Sequence, residues 1–402
     1  MKNIYFFLIT LALYGCFNSK PPKKELLPIV DLTKEYPKKI FLENDGDIEY
    51  IPLETNKEAF ADMDFRIVYL SDKRIVGINK KRGDIFIFGR DGRIISFFNH
   101  RGNSGIEYIQ IRSIAYDEEN KEIFIADLPS KKNFIVFSEE GKFLRNLRLH
   151  NGLYITEIYN FDDQTLLAYN DLQPDPYNGW VAEKIDDIHI KFPYIFLSKK
   201  DGSLVSSANI SFEKRFSNQH IAGFSNGIAR GVTVSTNTRN VKFGQNFIID
   251  DKSLDTVFLL TQNKKLTPLF VKTPSVFKTN QMVCYSSVHL KTDRYLFFIS
   301  ITYDIHETIG LAEQRKQDNI IRKDFVYDLQ AREFFTPEGK KHYGTMIDAP
   351  ENTNVNILEA YHLIERLEKG RLSGKLKEIA QTLKEEDNPV VSIYKFKENY
   401  DE

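Results

Sequence analysis

From Arg66 to Leu149 the chain alternates short apolar runs with polar turns, and the alternation repeats. Arg66–Leu70, Ile75–Asn79, Asp84–Gly89 and Arg93–Asn99 form one set of four runs. Ser113–Tyr116, Glu122–Asp127, Asn133–Phe137 and Lys142–Leu149 form a second. Runs this short, rich in Ile, Val and Phe and bounded by Gly, Asp and Asn, predict β-strands. Within the sets a hairpin with a tight acidic turn recurs. It reads Phe86-Ile87-Phe88-Gly89-Arg90-Asp91-Gly92, then Ile135 through Gly141, then Ile195 through Gly202. A fourth copy, Phe258 through Leu266, carries Asn263 in place of glycine, and a fifth runs from Phe334 to Gly339. Such turns need a residue at positive φ, which Gly tolerates freely and Asn better than most.

The turn residues Gly92, Gly141, Gly202, Asn263 and Gly339 lie 49, 61, 61 and 76 residues apart. Taking 49 as the bare unit, the excess is insertion. Four antiparallel strands per unit of this length predict an all-β, six-bladed β-propeller of four-stranded blades. Five hairpins leave Ile48–Leu53 and Val390–Lys397 without partners. Pairing them in a sixth blade closes the ring and removes an open edge. Before the last strand, Ile357–Leu367 and Leu372–Leu383 have helical spacing, interrupted by Gly370 and Gly374, and predict a short helix pair packed on the rim.

The first sixteen residues, MKNIYFFLITLALYGC, follow a different pattern. Lys2 precedes an apolar run from Ile4 to Tyr14, shorter than the roughly 20 residues that span a bilayer. The run ends in Leu13-Tyr14-Gly15-Cys16, which resembles the lipobox of bacterial lipoproteins. That resemblance implies cleavage before Cys16, diacylation of its thiol with palmitate-type chains and acylation of the new amino group. The expected organisation is a signal peptide over 1–15, a lipidated tether over 16–39 and one propeller domain over 40–402. Phe17–Leu27, polar with Pro21-Pro22, suits an extended spacer. Lipoproteins exported to the outer face of some Gram-negative cells carry an acidic cluster after the cysteine; Lys20, Lys23 and Lys24 stand there instead, which favours the periplasmic side of the outer membrane.

Composition removes several classes of function. Lys+Arg number 55 and Asp+Glu 56, a net charge of −1, so no field argues for nucleic acid or an anionic membrane surface. Cleavage before Cys16 removes only Lys2 among the charges. Two cysteines, Cys16 and Cys284, exclude a disulfide framework and a multi-cysteine zinc site. There is no phosphate-binding Gly loop, no H-E-x-x-H and no G-x-S-x-G, so neither a cofactor nor a metal is expected. Asp117-Glu118-Glu119-Asn120, Asp162-Asp163 and Asp250-Asp251 are expected to be acidic turns rather than calcium sites. Cys284, inside a strand-like run, is expected to be a buried thiol.

The lipobox, the opening IEYIPLET, the blade pattern and the segment Leu383-Lys384-Glu385-Glu386-Asp387-Asn388-Pro389-Val390 together resemble the six-bladed β-propeller lipoproteins of Bacteroides-type bacteria. The resemblance covers essentially the whole mature chain. That family often has G-x-G-P-G-E-Y between blades. Gly102-Asn103-Ser104-Gly105-Ile106-Glu107-Tyr108 keeps the first Gly and the Glu-Tyr but loses the middle glycine, the proline and the last glycine. The resemblance implies a fold and an envelope address, and no particular activity.

Function must then be sought in the longer connections, because loops on a rigid scaffold carry recognition. In a four-stranded blade the second-to-third loops and the interblade connections share one end of the ring. Asn99–Arg112, Asn170–Phe192 and His306–Lys323 should converge there. They supply the candidate ligand-binding residues His100, Arg101, Tyr108, Arg112, Tyr177 and Trp180, aromatics beside polar and cationic neighbours that suit a sugar or a peptide. The alternative for Trp180 is that it pins its loop to the blade. The favoured function is a non-catalytic, membrane-anchored binding or scaffolding propeller for a glycan, peptide or envelope protein. An envelope glycan hydrolase or lyase, and a structural subunit of an envelope complex, are the alternatives.

Overall fold

The computed structural model describes residues 27–40, 46–127, 133–150, 153–171, 192–212, 219–225, 228–234, 241–276, 278, 282–304, 321–338 and 347–397. Three strands, β1 (Ile29–Asp31), β2 (Lys38–Ile40) and β3 (Gly46–Pro52), precede the repeat. Blade 1 is β4 (Phe65–Leu70), β5 (Arg74–Asn79), β6 (Asp84–Gly89) and β7 (Ile94–Phe98). Blade 2 is β8 (Ile111–Asp117), β9 (Glu122–Asp127), β10 (Asn133–Ser138) and β11 (Phe143–Arg148). Blade 3 is β12 (Ile155–Asn160), β13 (Thr165–Asn170), β14 (Tyr194–Ser198) and β15 (Leu204–Ser207). A separate hairpin, β16 (Gln219–Ser225) and β17 (Ile228–Val234), stands between blades 3 and 4.

Blade 4 is β18 (Val241–Phe243), β19 (Asn246–Ile249), β20 (Thr256–Leu260) and β21 (Leu266–Thr273). Blade 5 is β22 (Met282–Lys291), β23 (Tyr295–Asp304), β24 (Ile321–Asp328) and β25 (Glu333–Glu338). Blade 6 is assembled from both ends of the chain. Among the described residues it holds β26 (Thr353–Leu358), β27 (Val390–Phe396) and, outermost, β3. The two orphan strands of the sequence pair antiparallel, with Val391 opposite Ile51 and Ile393 opposite Glu49. Six blades close the ring.

The apolar runs are continuous because each blade is covered on both faces, so the two-residue period divides the side chains between two neighbours. In β6, Phe86 and Phe88 join a cluster with Val391 and Ile393 of blade 6, while Ile85 and Ile87 join one with Ile123 and Ile135 of blade 2. The pattern continues around the ring: Phe134 of blade 2 meets Leu166 of blade 3, and Phe196 of blade 3 meets Phe247 of blade 4. Phe270 of blade 4 meets Phe298 of blade 5, and Phe297 of blade 5 meets Phe396 of blade 6. Each cluster lies between two consecutive blades. At about 1.5–3 kcal/mol for each fully buried large apolar side chain, these contacts drive the fold.

The recurring glycines mark where one blade abuts the next. Gly92, Gly141 and Gly202 have φ of +84°, +81° and +81°. A Cβ there would strike Pro52 and Ile51, Phe98, and Leu147 with Arg148 respectively, each the outer strand of the preceding blade. Positive φ and a close approach thus both demand glycine. The fourth and fifth turns differ from the sequence expectation. In blade 4 the positive-φ residue is Lys264, not Asn263. In blade 5 the turn lies at 329–332 with Arg332 at positive φ, and Phe334–Glu338 falls within an outer strand. Gly339 lies outside the described residues.

Buried ion pairs reinforce the seams. Lys199 of the blade 3 turn donates to Asp117 at the end of β8 in blade 2 at 2.6 Å, with both side chains almost fully buried. Burial pushes the Asp117 carboxyl up, but hydrogen bonds from Asn120 and Lys199 outweigh it, and its pKa falls below the ordinary 3.8. A carboxyl with a lowered folded-state pKa contributes its full stability above the unfolded value and loses it as pH falls through the folded one. Asp117→Asn should therefore cost about 3 kcal/mol at pH 7 by leaving Lys199 buried and unpaired. In urea titrations the gap to wild type should close as pH falls below the ordinary 3.8 and through the lowered folded-state value; a gap that stays constant across the acid range would show that the pair carries none of it.

Two features depart from the sequence reading. β1 and β2 lie in the stretch read as tether, yet they pair in parallel with the outer strands β21 and β25 and make blades 4 and 5 five-stranded. Val30 and Leu32 fill the wedge between those blades, and Tyr36 packs edge-on against Phe325 at 5.4 Å. The helix pair exists as α1 (Ala360–Glu368) and α2 (Gly374–Ala380), but Ile357 and Leu358 belong to β26. Ladder pairing of those residues with Val391 and Val390 overrides their helical spacing.

Candidate functional site

The two ends of the ring are built differently. At one end every described turn is short, from two residues (244–245) to five (199–203 and 261–265). At the other end the flanking strands open into the connections 99–110, 171–193, 208–240 and 305–320, much of which lies outside the described residues, and into the helical segment 359–389. Asn99–Arg112, Asn170–Phe192 and His306–Lys323 are all anchored there by their flanking strands. The 208–240 connection, which holds the β16–β17 hairpin, went unread in the sequence because the hairpin's period does not match that of the blades.

The sequence-predicted residues take up distinct positions. Tyr108 is fully buried; its hydroxyl donates to the Gly83 carbonyl at 2.6 Å and accepts from the His100 backbone N–H at 3.0 Å. Burial pushes its pKa up to about 12. The His100 ring stacks on Phe137 at 5.0 Å, and its Nε2 lies 2.7 Å from the Gly141 carbonyl. These two side chains fasten the connection between blades 1 and 2 rather than face solvent. Arg101 is exposed and donates to the Lys81 carbonyl at 2.7 Å. Arg112 donates to the Tyr154 hydroxyl at 3.0 Å, its guanidinium 4.9 Å from that ring's centre. Tyr154 in turn bonds Asn170 and Asp171. Arg112 is therefore brought to the foot of the segment that carries Tyr177 and Trp180, while His100 and Tyr108 are not. Tyr177 and Trp180, like Cys16, lie outside the described residues.

A polar cluster that the sequence reading missed occupies blades 3 to 5 at the same end. Asp250 and Asp251, expected to form an acidic turn, lie between β19 and β20 and are buried. Asp250 accepts from Lys272 Nζ at 2.7 Å and from the Val288 backbone N–H at 2.8 Å. Asp251 accepts from the Tyr194 hydroxyl at 3.0 Å, and burial together with that carboxylate pushes the Tyr194 pKa well up. Lys252, also buried, lies 5.0 Å from the centre of the Tyr285 ring, and desolvation lowers its pKa to about 8 despite attraction from Asp250, Asp251 and Glu157. The available signal was Asp-Asp-Lys directly after an apolar strand end; an acidic pair alone reads as a turn.

At the short-turn end Asp348 links blade 1 to blade 4. Residues around Asp348 run beside β4, with the Leu70 N–H donating to the Asp348 carbonyl at 2.8 Å. Lys242 of blade 4 reaches across to Asp348 Oδ2 at 2.8 Å. A small hollow of about 20 Å³ lies alongside, lined by Lys242, Phe243, His289, Lys291 and Glu351 among others. Lys291 Nζ lies 3.3 Å from the centre of the Phe243 ring, and burial lowers its pKa to about 8. Cys284 is buried, as expected, and burial pushes its thiol up. Among the described residues no three His, Cys, Asp or Glu side chains are grouped to hold a metal, and no helix is long and apolar enough to cross a membrane.

Comparison with solved structures agrees with the ring. A Bacteroides fragilis NCTC 9343 protein described as exported superposes with a TM-score of 0.61 at 14% identity, covering 92% of this chain and 100% of its own. A DUF4221-family member from Bacteroides vulgatus ATCC 8482 gives 0.49 at 8% identity, covering 88% and 99%. At these identities the first likeness bears on fold alone. No curated protein matches the sequence. The model of the family described as a domain of unknown function, DUF4934, matches residues 28–395, nearly all of the propeller, and the chain belongs to that family.

Proposed function

We propose that this protein is an exported envelope lipoprotein, anchored through acylated Cys16 to the outer membrane and facing the periplasm, whose propeller captures a ligand without transforming it. The observation that carries this reading is the asymmetry of the ring: among the described residues one end is trimmed to short turns, and the strands that lead into the long connections open at the other. A rigid scaffold with elaborated loops at one end is the usual build of a recognition surface. Arg112 and Tyr154, at the foot of the segment holding Tyr177 and Trp180, offer the aromatic and cationic groups that bind a glycan, a peptide or a protein partner.

Two measurements test it. Mass spectrometry of membrane-extracted protein should find an acylated N-terminal cysteine, and Cys16→Ala should release the protein or block its processing; an unmodified, freely soluble wild type refutes anchoring. A glycan array and co-purification with the mature protein should return a ligand whose capture is lost in Trp180→Ala while the melting temperature stays put. Capture unaffected by that substitution, or contacts found on the Gly92 and Gly141 turns, refutes the assignment of the binding end.

A further inference from the structure

The outer edges of blades 4 and 5 each carry a short extended strand in parallel. β1 sets Val30 opposite Lys272 of β21; the Val271 N–H donates to the Pro28 carbonyl at 2.9 Å, and the Leu32 N–H to the Thr273 carbonyl at 2.8 Å. β2 repeats the arrangement on β25, where the Thr336 N–H donates to the Pro37 carbonyl at 2.9 Å. Val30 and Leu32, two residues apart, are both buried. The fold itself thus shows what an outer edge of this ring accepts: a few extended residues, held by main-chain hydrogen bonds, with apolar side chains at alternate positions.

The neighbouring edge, β15 of blade 3, runs in the same direction and has no strand on it among the described residues. It is also the least protected edge. β3 carries Asp47, Glu49 and Pro52. β11 carries Arg145 and Arg148, and its Asn146 side chain donates to the Gly105 carbonyl at 2.9 Å. In β7 the Ile94 N–H is taken by the Glu54 carboxylate at 2.8 Å. Charges, prolines and side-chain caps of this kind keep an edge from pairing. β15 reads Leu204-Val205-Ser206-Ser207, with no charge and no proline, and Leu204 and Val205 are 47% and 51% exposed. Ser206 Oγ, shut off from solvent, has no hydrogen-bond partner among the described residues, and a hydroxyl or amide on an added strand would satisfy it.

We infer that β15 docks an extended segment of a partner protein, which adds to blade 3 in parallel as β1 and β2 add to blades 4 and 5. Continuity with those two contacts identifies the occupant: β15, β21 and β25 are the outer strands of consecutive blades, and the two that are covered are covered by peptide of this kind. The chain's own tether is unsuited. Stepping upstream by the nine residues that separate Ile29 from Lys38 brings Lys20-Pro21-Pro22 to this edge, and proline has no N–H for the ladder. The site lies on the flank of blade 3, away from the capture end, and depends neither on acylation of Cys16 nor on Trp180.

The test uses a soluble chain starting at residue 17, which keeps every described residue, and a synthetic peptide copying residues 28–33, PIVDLT. Under excess peptide, amide hydrogen exchange at 204–207 should slow about tenfold. A peptide carrying Val30→Pro should give no protection. The chain variant Leu204→Lys with Val205→Lys should also lose it, with an unchanged melting temperature because both side chains are exposed. Exchange at 204–207 unaffected by the peptide overturns the inference, and so does equal protection by the proline copy, the mark of unspecific apolar contact. Protection confined to 266–273 overturns it as well, since the peptide would then only be replacing β1. Protection that grows with protein concentration in the absence of peptide gives the edge to a second copy of the chain and overturns the partner reading.

Discussion

Asp250→Ala should destabilise the protein by about 3–5 kcal/mol, measured by urea denaturation at pH 7. The carboxylate holds two groups at once. It accepts from Lys272 Nζ at 2.7 Å and from the Val288 N–H of the next blade at 2.8 Å, with both members of the ion pair buried. Deleting it leaves a buried ammonium without its counterion and a buried backbone donor without its acceptor. The Asp251 carbonyl, 3.0 Å from Lys272 Nζ, supplies a dipole but no charge. Removing the charge at both positions, as in Asp250→Asn with Lys272→Met, should cost less than Asp250→Ala alone, because no unpaired ion then stays in the interior. A double variant less stable than the single one would show that packing, rather than charge burial, dominates at this seam.

Asn388→Ala should cost about 3–4 kcal/mol, since it leaves three backbone groups unpaired at roughly 1–3 kcal/mol each before relaxation. The side chain is fully buried. Its Oδ1 accepts from the Ala61 N–H at 2.7 Å, while its Nδ2 donates to the Glu54 carbonyl at 2.7 Å and the Ala59 carbonyl at 3.0 Å. Its backbone N–H donates to Thr55 Oγ1 at 2.7 Å. One amide thus ties the segment entering β27 to the connection leaving β3 and holds the two ends of the chain together where the ring closes. Asn388→Asp keeps the acceptor and loses both donors, so it should rescue little. A melting temperature within a degree of wild type for either variant would refute the role of this latch.

These bonds also explain a motif that could only be quoted as a resemblance. IPLET and DNPV are separated by more than 330 residues, yet Glu54, Thr55 and Asn388 meet in the folded ring. Nothing local in either segment predicts that meeting. Tyr108 is the opposite case. A Tyr after Gly and Glu in an interblade loop reads as a surface aromatic, but the loop folds back and its ring is buried among Ile111, Ile123 and Phe137. The chemistry of a tyrosine is legible in sequence; which way it faces depends on the path of a loop with no period of its own.

What the sequence determined by itself was the architecture. Strand positions in blades 1 and 2, the sixth blade shared by Ile48–Leu53 and Val390–Lys397, and the glycine turns follow from period-two apolar runs and from the conformational demand of a tight turn. These are short-range properties, repeated often enough to read. Tertiary structure decided everything that depends on two distant segments meeting. It paired the three-residue strands β1 and β2, too short to carry a period, with the edges of blades 4 and 5. It buried Asp250 and Asp251, because Lys272, Val288 and Tyr194 come to them from other strands and satisfy their charge. A charged or apolar side chain has the same local pattern whether it ends in the interior or in solvent; its partners alone decide, and they are brought to it by the closing of the ring.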